Sequence, residues 1–134
     1  MLTKTLFKRA FLALAATAVL NWIAIKFYLY WTVWGADSVV HFFGGMCAAL
    51  AVLWIFSEKS ELKNWSRGRI LFAALGGAFL VGVLWEIFEL HFGITALSDG
   101  ARYFSDTASD LLMDALGGAA GFFSAWRLLK KYEK

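Results

Sequence analysis

Proline is absent from this chain of 134 residues, and cysteine occurs once. Without proline there is no proline-rich linker between parts. The single cysteine, Cys47, excludes an intrachain disulfide and a CxxC motif. Charge is also scarce: charged residues make up 17% of the chain against 60% hydrophobic, more apolar surface than a soluble core of this size can hide. A phosphate-cradling glycine loop, a nucleophile elbow and a basic nucleic-acid motif are all missing, so no nucleic-acid partner is expected. Of the hydroxyls Ser38, Ser98, Ser105, Thr107 and Ser109, only Ser38 is near a histidine in sequence, too little for a catalytic triad.

What is present is apolar sequence in membrane-length pieces. Runs close to the about 17 to 25 residues that cross a bilayer recur four times, at roughly 10–32, 37–56, 70–91 and 106–127. The expected fold is all-α, a polytopic membrane protein with four transmembrane helices in one integral domain over residues 1–134. The first run follows Lys4, Lys8 and Arg9 as a signal peptide would. Its apolar character continues to Trp34, past an h-region of about 7 to 15 residues, so it reads as a retained helix. Cys47, inside the second run, reads as a small packing residue.

Eleven of the 13 lysines and arginines fall in three places: Lys4, Lys8 and Arg9; Lys59, Lys63, Arg67 and Arg69; and Arg127, Lys130, Lys131 and Lys134. With four helices these places share one side, which the positive-inside rule makes cytoplasmic, giving an N-in, C-in orientation. Trp31 and Trp34 then mark the outer boundary, and Trp54, Trp65 and Trp126 the inner one.

Seven of the ten acids, Asp37, Glu86, Glu89, Asp99, Asp106, Asp110 and Asp114, sit in the outer connection or the outer halves of the last three runs. A pattern recurs among them: DSVVHFFGG at 37–45 is echoed by DLLMDALGG at 110–118. Residues four apart share a helical face, so Asp37 and His41 form one stripe, and Asp106, Asp110 and Asp114 another. Glu86 and Glu89, three apart, are also neighbours. An aspartate at the centre of a membrane helix costs about 2.5–3.5 kcal/mol on insertion scales. These acids therefore converge on an interior pocket open to the outer side. Gly44, Gly76, Gly77, Gly117, Gly118 and Gly121 offer close helix packing, Gly117 and Gly121 as a GxxxG. The echo raises an axis along the membrane normal relating two hairpins, but helix one lacks acids matching Glu86 and Glu89.

Plainer roles suit some of these residues. Asp37 and Asp106 stand where a helix N-cap is expected, and Asp99 belongs to a turn, SDG. His91 is expected at the interface, and Lys26 either snorkels outward or pairs with a carboxylate. For His41, Glu86, Glu89, Asp110 and Asp114 the plainer account is weak, because Arg102 and Lys26 are the only cations on that side. Four carboxylates and an imidazole suit a divalent metal ion such as Mg, Mn, Fe or Zn, which would neutralise the cluster, activate water and orient a phosphoryl or acyl group. The di-iron bundle pattern does not apply, since Glu-x-x-His does not occur.

Asp37-x-x-x-His41, then Glu86 followed by Glu89, then Arg102, Asp110, Asp114, Gly117 and Gly121, over roughly residues 37–121, resemble the sparse pattern of VanZ-like membrane proteins. In that family Gln is commoner at the position of Glu89 and Asn at that of Asp114; the extra carboxylates look closer to the acid-rich YjdF-like relatives. The resemblance implies a small multi-helix protein of the bacterial inner membrane, with a link in one member to glycopeptide resistance.

The leading expectation is a metal-dependent hydrolase or transferase acting on a lipid or lipid-linked envelope substrate. His41 and Glu86 would be catalytic; His41, Glu86, Glu89, Asp110 and Asp114 would hold the metal; Arg102, Asp37 and Asp106 would bind substrate. The pocket would face the periplasm. Four helices enclose little volume, so a homodimer is expected. The alternatives are a proton- or cation-coupled transporter or channel module, and a non-catalytic membrane subunit linked to envelope stress or antibiotic tolerance. The first of these lacks ionisable residues in the inner halves to continue a path.

Overall fold

The computed structural model describes residues 1–59 and 62–132, and the chain there is helical. Helix α1 spans Leu2–Lys26, α2 is the short Leu29–Thr32, α3 spans Ala36–Glu58, α4 Arg67–His91 and α5 Ala101–Tyr132. Single 3-10 turns, Leu62–Asn64 and Leu97–Asp99, lie in the two later connections.

The expected first helix, 10–32, is earlier and shorter at its end than its apolar run suggests. It starts at Leu2 because Leu6 is fully buried in the core, which holds the preceding turn in register. It stops at Lys26: the Phe27 N–H folds back to Ile23 O, and Tyr28 takes a left-handed conformation at φ 56°. Trp31 falls on α2 and Trp34 in the bend after it. The remaining boundaries lie close to expectation except at α5, which begins five residues ahead of Asp106.

The expected caps at Asp37 and Asp106 are not formed. Gly35, at φ 81°, is the N-cap of α3, a conformation glycine adopts without steric cost. Asp37 lies inside the first turn with no capping bond. Asp106 lies inside α5, because that helix already starts at Ala101. Ser66 does cap α4, accepting from the Arg69 N–H at 3.3 Å. Asp99 is in the expected turn, closed by Gly100 at φ 59°.

Three helices, α1, α3 and α4, are long and apolar enough to cross a membrane; the expected count of four is corrected to three on that measure. The reason is chemical. Within its 32 residues α5 carries Asp106, Asp110 and Asp114, which lower its hydropathy below that of a typical span. Those aspartates do not make α5 a water-facing helix, because Asp110 and Asp114 are buried while Leu112, Leu116 and Phe123 are exposed. It is apolar outside and polar inside, as α1 and α4 are apolar outside with Phe11, Trp22, Phe72, Phe79 and Leu84 exposed.

Helix α3 is the centre of the bundle, packing on α5, α1 and α4, while α4 also packs on α5 and α1 scarcely touches it. The two hairpins therefore differ in their packing, since α3 contacts α4 where α1 scarcely contacts α5. Glycine governs the α3–α5 contact: a Cβ on Gly45 would strike the Asp114 backbone, and one on Gly117 the Phe42 carbonyl. Gly77, Gly118 and Gly121 are close to neighbours in the same way, whereas Gly44 and Gly76 face open space and take no part.

The apolar core fills one end, where Leu6, Ala49, Leu50, Leu53, Ile70, Ala74 and Phe122 meet. That end is also basic. Arg69 lies over the Trp65 ring at 5.5 Å, and Arg67 and Lys130 over Trp126 at 5.8 and 5.4 Å. Lys134, the last of the expected basic residues, lies outside the described residues. The opposite end, built from the last turns of α1 and α4 and the first turns of α3 and α5, holds the polar residues.

Candidate functional site

The echo at 37–45 and 110–118 is the α3–α5 interface. Because Gly45 and Gly117 let the backbones touch, the second ionisable residue of each copy meets the other: His41 Nδ1 donates to Asp114 Oδ2 at 3.1 Å. The first residues of the two copies then flank the far side of the ring. His41 Nε2 is 3.7 Å from Asp37 Oδ1 and 4.0 Å from Asp110 Oδ2. Helix α4 closes the third side. Its Gly82 has no side chain where the Asp114 carboxylate lies, and a Cβ there would collide with Oδ2.

The two glutamates of α4 are each held by one oxygen. Thr107 Oγ1 donates to Glu86 Oε2 at 2.7 Å, and Trp85 Nε1 donates to Glu89 Oε1 at 3.0 Å. His41 and Glu86 are each only 5% exposed, and Glu89, Asp110 and Asp114 are buried with them. Among the described residues, His41 Nε2 and Glu86 Oε1 are buried atoms with no hydrogen-bond partner. Leaving such atoms unpaired costs about 1–3 kcal/mol each, and more for charged groups.

Donor atoms of His41, Glu86 and Asp110 lie within 4.8 Å of one another, as do those of Asp37, His41 and Glu89, and of Asp37, Asp106 and Asp110. Atoms on opposite sides of a coordination shell of about 2.1 Å radius are about 4.2 Å apart, so these sets need only small side-chain movements to close on one ion. Asp114 is in none of the three sets. It lies behind the imidazole, on the nitrogen opposite the unpartnered one.

A cavity of about 950 Å³ opens beside this cluster. Asp37, Glu89, Asp106 and Asp110 line it, with Arg102, Trp31, Trp34 and Trp85. Arg102, Asp37 and Asp106, expected as substrate-binding residues, thus share one cavity. His91 does not join them; it is exposed at the end of α4, edge-on to Phe92. Lys26 is exposed too and lies over the Trp22 ring at 4.6 Å, not on a carboxylate.

Sequence reasoning passes over Trp85, Tyr30 and Asn21. Trp85 had a signal, since it stands four residues before Glu89 and so on the same face. Tyr30 Oη donates to Asn21 Oδ1 at 2.6 Å in the cavity wall, a contact made across the bend at Tyr28 and without any fixed helical spacing. Burial, with the Asp37 and Glu89 carboxylates nearby, pushes the Tyr30 phenol up to about 12, so it remains a neutral donor through the physiological range.

Comparison with curated proteins and with solved structures gave no match. The family model described as "Predicted membrane protein (DUF2238)" matches residues 3–131. That match is broader than the VanZ-like resemblance and does not carry it. Spanning nearly the whole chain and all four long helices, it shows that the protein belongs to this family of membrane proteins.

Proposed function

We propose that the buried cluster binds one divalent metal ion on His41, Glu86 and Asp110, and that the adjoining cavity presents a lipid or lipid-linked envelope substrate to it. The observation that carries this reading is His41 Nε2. With Nδ1 donating to Asp114, a neutral ring would carry its lone pair on Nε2, which faces the carboxylates of Asp37 and Asp110. Facing acceptors are relieved by a proton or by a cation between them. A proton on Nε2 would find Asp37 at 3.7 Å and Asp110 at 4.0 Å, too far for a hydrogen bond. His41 and Asp110 would hold a metal ion across such a gap, with Glu86, whose Oε1 has no partner, as a third ligand. Mixed nitrogen and oxygen donors favour Mn, Fe or Zn over Mg.

In this reading Asp114 is the outer carboxylate that fixes the imidazole tautomer. Glu89 and Asp37 stand between the ion and the cavity. An ion held by these residues would supply Lewis acidity for hydrolysis or transfer at a phosphoryl or acyl centre. The substrate's polar end enters past Arg102, and its apolar part lies along the tryptophan wall. Helix α5 crosses the bilayer with the other three, because its 32 residues reach about 48 Å and its polar stripe is turned inward. The basic end then faces the cytoplasm and the cavity the periplasmic side of the bacterial inner membrane.

A conduction role is the less favoured reading. Below the cluster, Ala49, Leu50, Leu53, Ala74 and Phe122 are at most 1% exposed and carry no polar group to continue a path. The resemblance to VanZ-like and YjdF-like proteins is compatible with this reading and adds no reaction to it.

Elemental analysis of the purified protein tests the proposal. Wild type loaded with Mn, Fe or Zn and then desalted should carry one metal per chain, and Glu86→Ala should carry none while keeping its helical content. A wild type that holds no stoichiometric metal after loading sinks the metal site.

A further inference from the structure

The cavity holds charges of both signs that do not meet. Arg102 lines it together with Asp37, Glu89, Asp106 and Asp110. The ion pairs found among the described residues all involve His41, so no carboxylate lies within 4.0 Å of the Arg102 guanidinium. Asp106 follows Arg102 by four residues on α5, the spacing at which such a pair ordinarily closes. Beneath the carboxylates, His41 Nε2 and Glu86 Oε1 are unpartnered on side chains more than nine-tenths buried, and one donor atom each of His41, Glu86 and Asp110 lie within 4.8 Å of one another. Higher in the wall Thr95 Oγ1 is buried and likewise without a partner.

We infer that the cavity takes a headgroup of two charges, a phosphate bearing a primary amine, carried on a membrane lipid. The guanidinium fork of Arg102 suits the phosphate, with the Thr95 hydroxyl as a further donor. The ammonium has three donors for Asp37, Glu89 and Asp106, with Trp85 in the same wall. A purely anionic headgroup would sit among carboxylates with no cation of its own, and a simple amine would leave Arg102 unanswered. The lipid source follows from the wall, where Trp31, Trp34, Phe88 and Ile94 are exposed and continue the apolar exterior of the bundle. The inference rests on the reading above in placing the metal ion deeper, on His41, Glu86 and Asp110, so that the outer carboxylates are left for the amine.

The test is a titration of the full-length protein in a neutral maltoside detergent, read by tryptophan fluorescence and by native mass spectrometry. The probes are dihexanoyl phosphatidylethanolamine, dihexanoyl phosphatidylglycerol, hexylamine and soluble phosphoethanolamine. The ethanolamine lipid should bind at least about tenfold more tightly than any other probe, as expected for one added charge-assisted contact. Arg102→Gln should erase its advantage over hexylamine, and Asp106→Asn its advantage over the glycerol lipid. Both side chains are exposed, so these variants should keep the wild-type thermal midpoint. Equal binding of the two lipids, or an Arg102→Gln protein with unchanged preference, overturns the inference. Soluble phosphoethanolamine binding as tightly as the lipid overturns its membrane source. Repeating the titration on metal-free Glu86→Gln protein separates the two readings. A preference that persists there stands without the metal, and a preference absent from metal-loaded wild type fails by itself.

Discussion

The two nitrogens of His41 have different surroundings, and that difference is set by which residue occupies each echo position. Nδ1 meets Asp114 at 3.1 Å, and Nε2 faces the cluster without a partner. Asp114→Asn keeps the volume but removes the charge that raises the basicity of the ring, so metal affinity should fall about 10- to 100-fold. Competition with a chelating dye would measure it; unchanged affinity would place Asp114 outside the site's support. Gly82→Ala should shift affinity in the same direction, because its methyl group takes the space of the Asp114 carboxylate, whereas Gly76→Ala, facing open space, should leave it unchanged. At this scale much could be read from the chain, since helical spacing alone brings Asp37 to His41 and Asp110 to Asp114. Spacing within one helix does not say which residues meet across helices. Asp114 therefore reads as a metal ligand in sequence and lies behind the ring in the fold, and the support of Glu86 by Thr107 depends on how α4 and α5 are placed side by side.

Helices α3 and α5 are held at backbone contact, and the contact is made by particular glycines. Gly117→Ala would press a methyl group onto the Phe42 carbonyl, backbone that cannot turn aside. A loss of about 1–3 kcal/mol is expected, as for other overpacked interiors. Gly44→Ala, where nothing lies within 4 Å, should change stability by no more than about 0.5 kcal/mol. Unfolding in detergent, followed by circular dichroism, should show the first variant melting lower and the second matching wild type; equal midpoints would contradict the glycine-mediated contact. Paired glycines are visible in the sequence, but which member of a pair faces the partner depends on helix rotation, and so Gly44 and Gly45 separate only in the fold. The ends of α3 and α4 were legible from hydropathy. The end of α1 was not, because Phe27, Tyr28 and Leu29 are as apolar as a continuing helix would be, and only the left-handed Tyr28 breaks it.

Across the whole molecule, one half is closed apolar core and the other is polar, and the direction in which α5 runs decides whether the termini share a side. Cysteines introduced singly into a Cys47→Ala background would report it through an impermeant maleimide. Ser98→Cys should label in intact cells, and Lys63→Cys and Lys131→Cys only after lysis. If Lys131→Cys labels together with Ser98→Cys, α5 is not a crossing helix. Composition made the membrane class legible, and it counted 106–127 as a fourth span, whereas the aspartates of α5 bring its hydropathy below that of a membrane helix and leave three on that measure. The order of synthesis adds a constraint of its own. Helices α3 and α4 leave the ribosome before α5, so Asp37, His41, Glu86 and Glu89 are in place before Asp110, Asp114 and Thr107 exist to meet them. For that interval each unmatched acid in the bilayer costs up to about 2.5–3.5 kcal/mol. A chain stalled or truncated before α5 therefore leaves His41 Nδ1 and Glu86 Oε2 without Asp114 and Thr107, the partners that only the last helix brings.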